Sequence, residues 1–182
     1  MIVGMAIKTL SEVEVNYWAS NQHEFNGVTS LKRIFGMERQ YFNAKFAYMS
    51  DKGIERKGRG TLTWYDAREN HPNRTEYRLY YDSSMPLEKA SAGDTLLITI
   101  DSNSLVNVII IARGTQLVNF LVSQIRRGLG YNYNILTESD DIVAIANILD
   151  LWYEIDIINH NGNGLKNCLR YVSGNILATE NQ

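Results

Sequence analysis

Arg74, Glu76 and Arg78 alternate with Thr75, Tyr77 and Leu79 within residues 73–82. Guanidinium and carboxylate groups in that pattern can read base pairs. Arginine donates two bonds to guanine O6 and N7, and glutamate accepts from cytosine N4. The stretch is rich in aromatic residues, which predicts a strand with side chains alternating at period two. Arg74, Glu76 and Arg78 then share one face, with Asn73 leading into it. Thr75, Tyr77 and Leu79 face a core. The competing reading is a solvated Arg–Glu–Arg ladder on a half-exposed antiparallel sheet.

Two further groups of residues could serve the same chemistry. Asn21, Gln22, His23, Glu24 and Asn26 bring amide, imidazole and carboxylate groups together in a polar loop over residues 20–27. Lys52, Arg56, Lys57 and Arg59 share residues 51–60 with three glycines. That composition predicts a mobile basic loop able to meet phosphates, which position a protein without specifying sequence. Charge is unevenly placed: residues 31–80 carry +5 and the remainder −7, for a net −2. This argues against a purely electrostatic DNA binder and is compatible with one face meeting phosphate. Chance clustering on a solvated surface explains it equally well.

The elements that must position these groups follow from periodicity. Residues 12–19 predict a strand with Val13, Val15 and Tyr17 on one face. Leu31, Ile34 and Phe35 share a face of a short helix that Gly36 can terminate. Residues 39–49 predict a strand with Tyr41, Asn43 and Lys45 on one side and Phe42, Ala44 and Phe46 on the other. Strands follow at 61–65, 95–100 and 105–112. The last is apolar apart from Asn107 and is therefore expected to be buried on both faces. A polar loop covers 66–73, and one helical turn surrounds Pro86. Residues 115–127 predict an amphipathic helix with Leu117, Phe120 and Leu121 on one face. Ser139 can cap a helix over 140–153, and residues 165–172 fit either a strand or a helix. Strands outnumber helices and turns are short. The expected fold is mixed β with α, an open and mainly antiparallel barrel with flanking helices. We expect a single domain over 1–182, with the barrel at about 11–127 and a helical, turn-rich extension at about 131–182.

Several site classes lack their residues. Cys168 is the only cysteine, so there is no disulfide framework or thiolate metal site. His23, His71 and His160 stand apart, without zinc-ligand spacing. No GK[ST] follows the glycines of 53–60 and no GxSxG elbow occurs. No apolar run approaches the roughly 20 residues of a membrane span. With no secretory signal pattern, a cytoplasmic location is expected. Asp66 followed by Glu76-Tyr77-Arg78 distantly matches a metal-dependent nuclease pattern, an Asp followed by Glu-x-Lys. Arginine is a poor substitute for that lysine because its guanidinium stays protonated.

The segments Arg74-Thr75-Glu76-Tyr77-Arg78-Leu79-Tyr80-Tyr81, Gly93-Asp94-Thr95-Leu96-Leu97-Ile98 and Val108-Ile109-Ile110-Ile111-Ala112 together resemble the N-terminal effector domain of EcoRII-type restriction endonucleases. The resemblance covers residues 13–127. It implies a DNA-binding pseudobarrel, a fold shared with a class of plant transcription-factor domains. Two arms of that fold grip the major groove of a CCWGG-like site. Arg74, Glu76 and Arg78 would be base readers of the second arm. Asn21, Gln22, His23, Glu24 and Asn26 would form the first, in a loop shorter than that family's. The implied role is the regulatory effector domain of a type II, IIE-like enzyme. It carries no catalytic residues and no cofactor of its own. Mg2+ is expected only in a separate C-terminal nuclease domain of the same parent chain. Double-stranded DNA is the expected partner, with no membrane, and the isolated domain is expected to be a monomer. A metal-dependent nuclease using Asp66 and Glu76, or a transcription-factor-like binding module, are the alternatives.

Overall fold

The computed structural model describes residues 2–16, 23–25, 28–82, 85–125, 128–136 and 145. In chain order the elements are β1 (Ile2–Thr9), α1 (Glu12–Val15), β2 (Glu24–Phe25), a 3-10 turn (Val28–Leu31), α2 (Lys32–Phe35), β3 (Gln40–Ser50), β4 (Gly53–Asp66), β5 (Tyr77–Tyr81), α3 (Met85–Glu88), β6 (Thr95–Asp101), β7 (Val106–Ile111), α4 (Gln116–Ile125) and β8 (Asn134–Leu136). The strands form one open eight-stranded sheet in the order β2-β5-β4-β3-β7-β6-β1-β8. Neighbours are antiparallel except β3 and β7, which run parallel. No helix among the described residues is long and apolar enough to cross a membrane.

Period-two alternation divides the core between the two faces of this sheet. On one face, Phe42, Ala44, Phe46 and Tyr48 of β3 join Val106, Val108 and Ile110 of β7, and Leu96, Ile98 and Ile100 of β6. Phe25, Leu31 and Phe35 close over this side, next to Trp64 and Leu79. Gly36 ends α2 with φ at 77°, a left-handed conformation that favours glycine. Its carbonyl accepts from Trp64 Nε1 at 3.1 Å. On the other face, Ala47, Met49, Ile109, Ile111 and Leu97 pack beneath Leu117, Leu121 and Ile125 of α4. The apolar run of β7 is thus buried on both sides, as its composition predicts. Toward β4, β5 and β2 that second face loses its apolar cover. Tyr41 there is 71 % exposed and Tyr80 40 %.

Four expectations are corrected. Residues 12–15 form a helical turn rather than a strand, because Ser11 caps it. The Ser11 amide and hydroxyl both donate to Glu14 Oε2, at 3.0 and 2.8 Å, and the Glu14 amide donates to the Ser11 carbonyl at 3.2 Å, so the Glu14 carboxylate reaches back to the helix start as in a capping box. The basic segment 51–60 is not a loop. A tight turn at Asp51 and Lys52 leads into β4, which pairs with β3 from Ser50↔Gly53 to Gln40↔Trp64, with one register shift between Met49↔Ile54 and Tyr48↔Arg56. A long ladder to β3 overrides the weak strand propensity of its glycines. The predicted strand over 73–82 shortens to β5, which leaves Asn73, Arg74, Thr75 and Glu76 ahead of it. Finally, the sheet reaches from Ile2 to Leu136, beyond the expected barrel bounds at both ends. The predicted segments 140–153 and 165–172 lie outside the described residues, apart from Ile145, which is buried.

Candidate nucleic-acid interface

Strand β5 sets the geometry of the candidate site. Leu79 pairs opposite Trp64 and points into the core, so its neighbour Arg78 points to the uncovered face, opposite Tyr65. Glu24 of β2 stands opposite Tyr80 on the same face. Arg78 Nε and Nη2 donate to Glu76 Oε1 at 3.2 and 2.7 Å. Its Nη1 donates to Glu24 Oε2 at 3.1 Å. Tyr65 Oη donates to Glu24 Oε1 at 3.1 Å. Arg68 Nε donates to Glu76 Oε2 at 2.5 Å. A continuous polar chain therefore runs Tyr65–Glu24–Arg78–Glu76–Arg68 and ties β2 to the turn between β4 and β5.

Backbone geometry holds that turn in place. Asp66 Oδ1 accepts from the amides of Arg68 at 2.9 Å and Glu76 at 2.7 Å. The two carboxylates of the nuclease-like pattern thus have protein partners, Asp66 on amides and Glu76 on arginines. No group of three metal-ligating side chains occurs among the described residues.

The charges along the chain shift one another. Hydrogen bonds from Arg68, then from Arg78, hold the Glu76 carboxyl below its ordinary 4.5. Glu76 in turn raises Arg78. Burial, then the hydrogen bond to Glu24, raises the Tyr65 phenol. A depressed folded pKa means that Glu76 stabilises the fold above its unfolded value, and this contribution is lost as pH falls through its folded value. NMR titration of the Glu76 carboxyl should show a midpoint below 4.5, and Arg68→Ala should move it up. An unmoved midpoint in the variant would separate Arg68 from the chain.

The other candidates lie at different places. His23 sits against β5, its ring 5.4 Å from that of Tyr81 and 6.3 Å from that of Tyr80. The Tyr81 amide donates to the His23 carbonyl at 2.8 Å. Asn73 and Arg74 are exposed in the turn, and Arg74 has no ion pair among the described residues. Arg74 is therefore not brought onto the strand face with Arg78. Asn21, Gln22 and Asn26 lie outside the described residues. Arg56 pairs opposite Tyr48, on the face of the first core cluster. Lys57 and Arg59 pair opposite Ala47 and Lys45, on the second face, where the apolar cover over Ala47 gives way to the exposed part around Lys45. The basic segment is thus divided between the two sides of the sheet.

Sequence reasoning missed Tyr65, Arg68 and Lys45 as members of this surface. Lys45 was legible as outward-facing from the alternation of β3, but it lies apart in sequence from the other basic residues. Arg68 carried no signal, because its approach to Glu76 depends on the Asp66 turn.

No family model matches the chain, and no curated protein does. Among solved structures, the chain is similar to the N-terminal domain of Helicobacter pylori LlaJI.R1, with a TM-score of 0.49 and 10 % identity. That likeness covers 75 % of this chain and 99 % of the other.

Proposed function

We propose that the chain is a sequence-specific double-stranded DNA-binding domain of the pseudobarrel kind. It acts as the effector domain of a type II, IIE-like restriction endonuclease and reads a CCWGG-like site. The observation that carries this reading is the polar chain from Glu24 through Arg78 and Glu76 to Arg68. Arginine has five N–H donors in a planar fork. Nε and Nη2 of Arg78 hold Glu76 Oε1, and Nη1 lies 3.1 and 3.4 Å from the two Glu24 oxygens, so one Nη2 N–H is clear and a guanine edge takes its second bond by displacing the longer Glu24 contact. A fork held this way meets a base with less side-chain entropy to lose. Arg74, exposed a few residues away, is a second candidate reader. Asn21, Gln22, His23 and Asn26 would complete the grip from the first arm, and Arg56, Lys57 and Arg59 would meet phosphate. In this reading the chain binds as a monomer without a cofactor. Cleavage belongs to a separate nuclease domain of the parent protein, which supplies its own Mg2+ site.

Selection from randomised duplexes with this chain tests the proposal. A short G·C-rich site should be enriched, and the bound duplex should remain intact with Mg2+ present. Retention of duplexes without enrichment of any site would overturn base reading. Metal-dependent cleavage by this chain alone would favour a nuclease built on Asp66 and Glu76.

A further inference from the structure

Lys45 and Arg59 stand directly opposite each other in the β3–β4 ladder, on the uncovered face of the sheet. Like charges at that spacing repel and destabilise a strand pair. Neither residue has an ion pair among the described residues. Lys57 stands two residues further along the same side of β4, opposite Ala47. On this face, β3 offers Tyr41, Asn43 and Lys45 before Ala47 enters the cluster beneath α4, and β4 offers Lys57, Arg59, Thr61 and Thr63, so neither strand supplies a carboxylate. The Asp82 carboxylate, at the end of β5, bonds the Thr61 amide and hydroxyl, each at 3.1 Å. The register thus holds Lys45 and Arg59 face to face with no ion-pairing carboxylate on either among the described residues, and places Lys57 beside them.

We propose that Lys45 and Arg59, with Lys57, form a phosphate-binding patch for duplex DNA flanking the recognised site. The inference rests on the DNA-binding reading above. It adds a residue, a face of the sheet and a part of the duplex that the reading does not assign. Arg59 and Tyr65 lie on one strand and one face, six positions apart. At ~3.3 Å per residue that is about 20 Å, and at 3.4 Å per base pair it is roughly six base pairs of duplex. Tyr65 is opposite Arg78. With β4 aligned along the duplex axis, phosphates under the patch lie beyond a five-base-pair site centred on Arg78. Such contacts add affinity and salt dependence without choosing sequence.

The test uses wild-type chain and the double variant Lys45→Ala, Arg59→Ala on two duplexes carrying the same selected site. One duplex is trimmed close to the site, and the other extends by a helical turn on each side. On the extended duplex the variant should bind about tenfold or more weakly, and its slope of log affinity against log salt should fall by about two units. On the trimmed duplex it should match the wild type. Lys45→Arg should keep wild-type binding on both. Thermal melting of the double variant should occur at or above the wild-type midpoint, because a like-charge pair has been removed. Equal affinities on the extended duplex would overturn the patch while leaving base reading intact, as would equal losses on both duplexes. A wild-type chain that binds no duplex at all would overturn both.

Discussion

Glu14→Ala should destabilise the fold by about 3–5 kcal/mol, the usual effect of removing one partner from a buried ion pair. Lys8 Nζ and Glu14 Oε1 are 2.6 Å apart, and each side chain is 1 % exposed. Lys8 belongs to β1, on the face shared by Ala6 and Leu10 of the first core cluster. Its ammonium also lies 4.9 Å from the centre of the Tyr133 ring. Burial, and after it the Glu14 carboxylate, pushes the Tyr133 phenol well up. Its hydroxyl has no hydrogen-bond partner among the described residues. The variant would take the carboxylate from the Lys8 ammonium in this setting and remove the acceptor that starts α1. Replacing both partners, Lys8→Met with Glu14→Leu, should cost less than Glu14→Ala alone, because no buried charge remains. Denaturant unfolding of the three proteins gives both numbers. A loss under 1 kcal/mol for Glu14→Ala would mean that water or another group reaches Lys8 without difficulty.

Arg78→Ala should lower the preference for the selected site over a scrambled duplex by roughly ten- to a hundredfold, the worth of one lost bidentate base contact. Nonspecific affinity should change far less. Arg78→Lys should rescue poorly, because lysine has a point charge and no planar fork. The structure sharpens this expectation in one respect. Removing Arg78 also takes the shared cation from Glu24 and Glu76, so the variant places two acids at the interface with one fewer positive charge. Competition binding should be run with a melting control, since the pair with Glu24 is part-buried. Arg74→Ala serves as the contrast: it loses an exposed side chain and disturbs no bond among the described residues. A fully folded Arg78→Ala that discriminates like wild type would remove the arginine from base reading. The polar chain would then be a structural tie between β2 and the turn before β5.

Alternation along the chain determined which side each residue of the long strands takes. Phe42, Ala44 and Phe46 face inward and Tyr41, Asn43 and Lys45 outward because a strand has no other way to place neighbours. The doubly buried β7, the helix α4 and the opposition of Leu79 to Arg78 follow from local pattern as well. What local pattern could not decide was pairing. β1 is an inner strand between β6 and β8, and β8 is only three residues long. Neither has a length or periodicity that demands this place. The glycines and cations at the start of β4 look like a loop until β3 offers them a ladder. Glu24 and Arg78 are 54 positions apart, and Lys45 meets Arg59 only through register. Ion pairs and like-charge pairs across strands depend on which strands become neighbours. That choice comes from burying both faces of the sheet at once, a global requirement that no short window of sequence contains.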